Sequence, residues 1–187
     1  MCENLALTHI CPSCQELFLK PSLYKRRLSN GIEVISFYKY KEIKELLHTK
    51  HTDLGYYIYT ILAQNSFRKF AEEFEFSDKI VSIAIDDSVE SGYSHTAILN
   101  RALESKYIKP IYSHLRAQNR VSYSGQSREF RLLNPRDFSF KQFKGDEVIL
   151  VDDIITTGST LTQAIESMRM NKKEVVLCLT LSDVSLN

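Results

Sequence analysis

Apolar positions along this chain form short runs and helical stripes in alternation. Ile32-Glu33-Val34-Ile35-Ser36-Phe37-Tyr38 follows the turn signal Ser29-Asn30-Gly31 and predicts a strand. Tyr40 to Lys50 sets Ile43, Leu46 and Leu47 on one helical face. Tyr56 to Phe74 carries a longer amphipathic pattern, and Lys79 to Ile85 is a short apolar run of strand type. His95 to Ser105 reads as a helix through Ile98, Leu99 and Ala102, and Ile108 to Tyr112 as a strand. Residues 113–140 show no sustained period and predict a long polar excursion. The pattern then resumes: a strand over Glu147–Val151, a helix over Ser159–Met170 and a strand over Glu174–Leu181. Strands separated by helices predict an α/β fold with a parallel sheet.

The N-terminal thirty residues break this rhythm. They hold Cys2, Cys11 and Cys14, the basic run Lys20 to Arg27, and no period. A domain boundary is expected there, with 1–30 as a cysteine-rich segment and 31–187 as the main domain. No basic start followed by an apolar stretch opens the chain, so the expected location is the cytoplasm. Clustered cysteines in a reducing compartment read as a metal site rather than a disulfide framework. Cys178, inside an apolar run, reads as core. The 187 residues suffice for a full core. A net charge of +1 excludes a globally basic nucleic-acid binder, although local patches remain. No apolar run reaches the roughly 18 residues of a membrane helix.

The chemistry concentrates in 148–160. Four apolar residues, Val148 to Val151, lead into Asp152 and Asp153, and then into Thr156-Thr157-Gly158-Ser159-Thr160 at a helix start. Ligands of open α/β sheets sit beyond the carboxyl ends of strands. Amides at a helix N-terminus, its dipole and neighbouring hydroxyls suit a phosphate, and Gly158 lets the backbone approach it. The two carboxylates make sense beside that anion if they hold ribose hydroxyls or a Mg²⁺ bridging the sugar and a pyrophosphate.

This stretch resembles the phosphoribosyl-pyrophosphate (PRPP) motif of type I phosphoribosyltransferases: four apolar residues, two acids, two variable positions, then Thr-Gly-x-Thr. The resemblance implies a phosphoribosyltransferase-like domain over 31–187. It assigns ribose contacts and the catalytic role to Asp152 and Asp153, and a 5′-phosphate cradle to Thr156, Thr157, Gly158, Ser159 and Thr160, with Mg²⁺ and PRPP as partners.

The whole chain, with its cysteine-rich start, resembles the ComF family of competence proteins. Tyr40, Leu46-Leu47 and Lys50 match that family's first helix and following lysine, and Arg131-Leu-Leu-Asn134 matches a stretch ahead of the motif. That resemblance implies action on incoming single-stranded DNA in natural transformation, alongside other competence or recombination proteins. It also implies a structural zinc held by Cys2, Cys11 and Cys14, with the fourth ligand open between His9 and a residue preceding Met1. An active phosphoribosyltransferase of nucleotide metabolism and a PRPP-sensing regulator are the alternatives.

Two features bear on these readings. The expected pyrophosphate loop, Asp86 to Gly92, is acidic where a basic one would offset the anion directly. Arg116, Arg120, Arg128, Arg131 and Arg136, interleaved with Tyr112, Tyr123 and Phe130, suit either single-stranded nucleic acid or a loop closing over PRPP. Lys20, Tyr24, Lys25, Arg26 and Arg27 form a second basic patch. The five histidines show no metalloenzyme spacing, and apart from His9 they are expected on the surface without chemistry.

Overall fold

Runs too apolar for a one-sided sheet have to be covered on both faces, and they are. The computed structural model describes residues 7–86, 88–89, 92–117 and 137–186. Its elements run α1 (Pro12–Phe18), β1 (Tyr24–Arg27), β2 (Glu33–Lys39), α2 (Tyr40–Leu47), a 3₁₀ turn (His48–His51), α3 (Asp53–Ala63), a π turn (Gln64–Arg68) and α4 (Lys69–Glu73). They continue with β3 (Ile80–Ala84), α5 (His95–Ala102), β4 (Ile108–Ile111), β5 (Leu115–Ala117), β6 (Phe138–Phe140), β7 (Glu147–Ile155), α6 (Ser159–Met170) and β8 (Glu174–Asp183).

Six strands form one sheet in the order β1-β2-β8-β7-β3-β4. All neighbours are parallel except β1, which runs antiparallel to β2 at the edge. β5 and β6 make a separate antiparallel pair. The expected α/β class and mostly parallel sheet are present.

Alternation along the central strands sorts side chains into two cores. Ile149 and Val151 of β7 face the cluster that includes Phe37, Ile43, Leu62, Phe67 and Leu99, so α2 to α5 cover this side. Val148 and Leu150 face Leu161, Ala164, Ile165 and Met168, so α6 covers the other. Cys178 lies fully buried in this second core. Burial, together with the nearby charge of Asp152, pushes its thiol up to about 12. Across β2 and β8, buried Ser36 and Thr180 share a hydroxyl hydrogen bond of 2.7 Å.

Three local differences from the sequence pattern have physical causes. The helix expected from Tyr56 starts at Asp53, because the Thr52 hydroxyl caps it by accepting from the Gly55 N–H at 3.3 Å. That helix is interrupted by the π turn. Its displaced carbonyls at Ile61 and Leu62 accept from Asn65 Nδ2 at 3.0 Å and Ser66 Oγ at 2.6 Å. Finally, β7 does not stop at Val151. Asp152, Ile154 and Ile155 remain paired with Thr180, Ser182 and Asp183 of β8, so both acids lie within the strand rather than past it.

The N-terminal segment is partly built into the sheet, since β1 precedes residue 30. Cys11 caps α1, its sulfur accepting from the Cys14 N–H at 3.4 Å. Cys2 lies outside the described residues, and His9 packs its ring on Tyr57 with centroids 4.3 Å apart. Among the described residues no three His, Cys, Asp or Glu side chains group in a way that could hold a metal ion, so the expected zinc knuckle is not seen there. No helix among the described residues is long and apolar enough to cross a membrane.

Candidate functional site

Two successive residues on a strand point to opposite faces, and this separates the paired acids. Asp152, half-buried, turns toward α6. It lines a small pocket with Ile154, Ile155, Thr156, Gly158, Ser159, Thr160 and Leu161. Asp153 turns the other way, under α3 and α5, and is buried. Sequence reasoning treats the two as equivalent sugar ligands, whereas the strand places them in different surroundings.

The pocket is made by the turn between β7 and α6. Gly158 occupies the N-cap of α6 with φ 83° and ψ 4°, a left-handed conformation that side chains beyond glycine seldom adopt. The Thr157 hydroxyl accepts from the Ser159 N–H at 3.4 Å and donates to Ser159 Oγ at 3.1 Å. Gly158 contributes its carbonyl to α6, accepting from the Thr162 N–H at 2.9 Å. Hydroxyls, a positive helix end and a close backbone therefore converge where sequence reasoning places the phosphate. The motif residues Asp152, Thr156, Gly158, Ser159 and Thr160 are brought together around one pocket.

Arg26 of β1 braces this turn. Its Nη1 lies 3.1 Å from both carboxylate oxygens of Asp183 and 3.1 Å from Ser185 Oγ, while Nη2 donates to the Thr156 carbonyl at 3.2 Å. The neighbouring basic residues are engaged too: Lys25 pairs with Glu33 at 3.3 Å, and Arg27 donates to the Gly31 carbonyl at 3.4 Å. The basic run therefore serves the edge of the sheet. Arg26→Gln is expected to lower stability by about 1 kcal/mol, because the ion pair is partly exposed, and this would be read from the urea midpoint. Lysine should not restore it, since a point charge cannot bridge Asp183 and Thr156 together.

On the opposite face, Asp153 Oδ2 receives Lys50 Nζ at 3.2 Å and His95 Nε2 at 3.3 Å. Burial alone would raise the carboxyl. The hydrogen bond from His95 and the charge of Lys50 outweigh it and hold Asp153 well below the usual carboxylate range. An ionised carboxylate only accepts, so Nε2 of His95 carries the proton in this bond. The Tyr59 hydroxyl lies in the same cluster, and burial, followed by the Asp153 charge, keeps it protonated far above its ordinary range.

His95 was expected on the surface without chemistry, and its side chain is instead largely buried against Asp153. No sequence signal marks it: one histidine opening a helix has no spacing partner, and Asp153 is distant along the chain. Lys50 is a candidate the sequence does raise, and the structure places it on Asp153. The Tyr93 hydroxyl fixes the lysine's turn by donating to the Lys50 carbonyl at 2.6 Å. Gly55 is needed beneath this contact, because a Cβ there would overlap the Thr49 carbonyl and the Tyr93 hydroxyl.

Beyond β3, Asp86 adopts φ 52° and accepts from Ser88 Oγ at 3.0 Å. Arg116 of β5 donates to Ser113 Oγ at 2.7 Å. The segment 118–136 lies outside the described residues, and with it Arg120, Tyr123, Arg128, Phe130, Arg131, Asn134 and Arg136.

No curated protein matches the chain. Among solved structures, it resembles a hypoxanthine phosphoribosyltransferase from Staphylococcus aureus at 15% identity and a TM-score of 0.40, covering 67% of this chain and 62% of that one. An orotate phosphoribosyltransferase from Aeropyrum pernix is similar at 19% identity and a TM-score of 0.40, covering 91% of this chain and 80% of that one. Leishmania donovani UMP synthase is similar at 17% identity and a TM-score of 0.40; 90% of this chain is covered but only 30% of that one. The chain thus spans less than two thirds of the hypoxanthine enzyme and under a third of the synthase. The family profile of PRTase-CE matches residues 21–185. With a parallel sheet whose motif strand ends in the pocket described above, the chain has a type I phosphoribosyltransferase-like fold and belongs to the PRTase-CE family.

Proposed function

We propose that the protein binds PRPP, or a related ribose 5-phosphate, at the turn between β7 and α6. One observation carries this reading: Asp152 and the head of α6 line a single pocket, with a left-handed Gly158 opening the helix. In this arrangement the 5′-phosphate lies on the amides and hydroxyls of Thr156 to Thr160, and Asp152 faces the sugar hydroxyls. The donors fit the ligand, since a phosphate needs N–H and O–H groups and a diol needs an acceptor. Asp152 also offers the hard carboxylate oxygen that suits Mg²⁺, which would offset pyrophosphate charge. Asp153, the second acid of the motif, supports the site from behind through Lys50 and His95.

Family membership supports a phosphoribosyl ligand and leaves the acceptor of any transfer open. The competence reading with its single-stranded DNA rests on the resemblance of the whole chain, and the zinc reading on Cys2, Cys11 and Cys14, of which Cys2 lies outside the described residues; neither enters this proposal.

Calorimetry with ribose 5-phosphate and with PRPP, each with and without Mg²⁺, tests it. Binding of both is expected, with Mg²⁺ strengthening PRPP. Asp152→Asn should weaken both ligands at least about tenfold, as loss of a charged hydrogen-bond acceptor does. Absence of heat with either ligand, or unchanged affinity in the variant, would overturn the reading.

A further inference from the structure

The two edges of the main sheet differ in what they offer a passing chain. At the β4 edge Pro110 stands within the strand and supplies no N–H, which blunts that edge. At the β1 edge no proline intervenes. The Ser22 and Leu28 N–H groups, flanking β1, donate inward to the Phe37 and Ile32 carbonyls at 2.9 and 3.0 Å. Antiparallel alternation then places Tyr24 and Arg26, opposite Ser36 and Val34, in the same inward-bonded set. The N–H and C=O groups of Lys25 and Arg27 therefore point away from β2, along an edge with which no other described strand pairs. The side chains on this edge are basic along its length. Lys25 pairs with Glu33 at 3.3 Å yet keeps 57% of its side chain exposed. Arg27 is exposed and donates to the Gly31 carbonyl rather than to a carboxylate. At the other end of the strand, Lys39 Nζ stands 5.9 Å from the centre of the Tyr24 ring. A second copy of β1 laid alongside would set these cations against their own counterparts, which is unfavourable across a strand pair. An acidic segment would meet both the open backbone and the charge.

We propose that β1 is a docking edge for an extended acidic peptide of a partner protein, which adds to the sheet as a further strand. Main-chain bonds to Lys25 and Arg27 supply the hold, as in other cases of strand addition. Carboxylates at alternate positions of the peptide face Lys25 and Arg27, which share one face of β1, and so select an acidic partner over a neutral or basic one. Arg26 takes no part, because its side chain turns to Asp183 and the Thr156 carbonyl. The docking edge is thus separate from the phosphoribosyl site, and the inference stands whether or not that site binds its ligand.

The test titrates the full chain into a fluorescein-labelled peptide alternating Glu and Thr over about six residues, an ordinary strand length, and follows anisotropy. Saturable binding is expected, with no binding of the Lys-Thr counterpart. Lys25→Ala and Lys25→Pro both remove the ammonium, but only proline removes the outward N–H, and it leaves the bonds to β2 in place. Lys25→Pro should therefore bind the Glu-Thr peptide about fivefold more weakly than Lys25→Ala, the scale of one hydrogen bond. Amide exchange of the wild type supplies a reading that needs no variant: the Lys25 and Arg27 N–H groups should gain protection when the peptide is added. Equal affinities in the two variants, with wild-type protection unchanged, would show attraction by charge alone and end the strand-addition proposal. So would failure of the Glu-Thr peptide to bind. A peptide of the β1 sequence that competes better than the Glu-Thr peptide would assign the edge to a second copy of the chain, and a single-stranded oligonucleotide that does so would assign the cations to nucleic acid; either result overturns the acidic partner.

Discussion

Asp153→Ala is expected to lower the unfolding free energy by about 2–4 kcal/mol, well above the effect of removing an ordinary surface charge. The carboxylate is buried and is the shared acceptor of Lys50 and His95. Truncation removes the acceptor that the two donors share. A fully buried ion pair that loses one partner costs about 3–5 kcal/mol. The side chains of Lys50 and His95 are 31% and 20% exposed, so water recovers part of that loss. Chemical denaturation at neutral pH measures the difference. The same residue sets an acid dependence. Its native carboxyl titrates below the ordinary range, so the unfolded chain takes up the proton first as pH falls. The contribution is therefore complete above about pH 4, where an unfolded aspartate is ionised, and is lost progressively below it. Asp153→Asn should flatten this part of the stability profile. If the variant keeps the wild-type slope below pH 4, then Asp153 is not the group held ionised.

Why the partners of Asp153 escaped a sequence reading, although both acids were named, follows from the range of the signals involved. The run Val148 to Val151, the acids, the hydroxyls and the glycine lie within thirteen residues, and each has a local meaning. Strand β7, helix α6 and the pocket between them were therefore legible. Helix α6 occupies the predicted span Ser159–Met170 because Leu161, Ala164, Ile165 and Met168 form its stripe and Gly158 fixes its start. The partners of Asp153 come from a 3₁₀ turn and from the first residue of another helix. Only the assembled sheet places those beside β7. Strand β1 was hidden for a related reason. Tyr24-Lys25-Arg26-Arg27 has the charged composition that shields an edge strand, so it read as a basic patch. Its arginine is recognisable as a brace only once Asp183, at the far end of the chain, lies alongside. The strand pair β5–β6 stayed hidden because three-residue strands carry no period.

Gly158→Ala is expected to cost about 2–5 kcal/mol of stability and to abolish ribose 5-phosphate binding under conditions where the wild type saturates. Two effects add. At φ 83° any Cβ is strained, by about 1–2 kcal/mol. The new methyl would also lie 2.6 Å from Leu28 Cδ2 and 3.3 Å from Arg26 Nη2. Leu28 is buried in the core beneath α6, so relief of that overlap must shift a packed side chain, at about 1–3 kcal/mol. The lower part of the summed range applies if the leucine rotates aside. The functional loss has a separate origin. Relaxing the strain moves Gly158 out of the left-handed region, which turns the peptides on either side of it and withdraws the amides from the pocket. It also presses on the guanidinium that holds the Thr156 carbonyl. Thermal unfolding and calorimetry on the same preparation separate the two. A variant that unfolds earlier yet binds ribose 5-phosphate as tightly as the wild type would show that the phosphate does not rest on this turn.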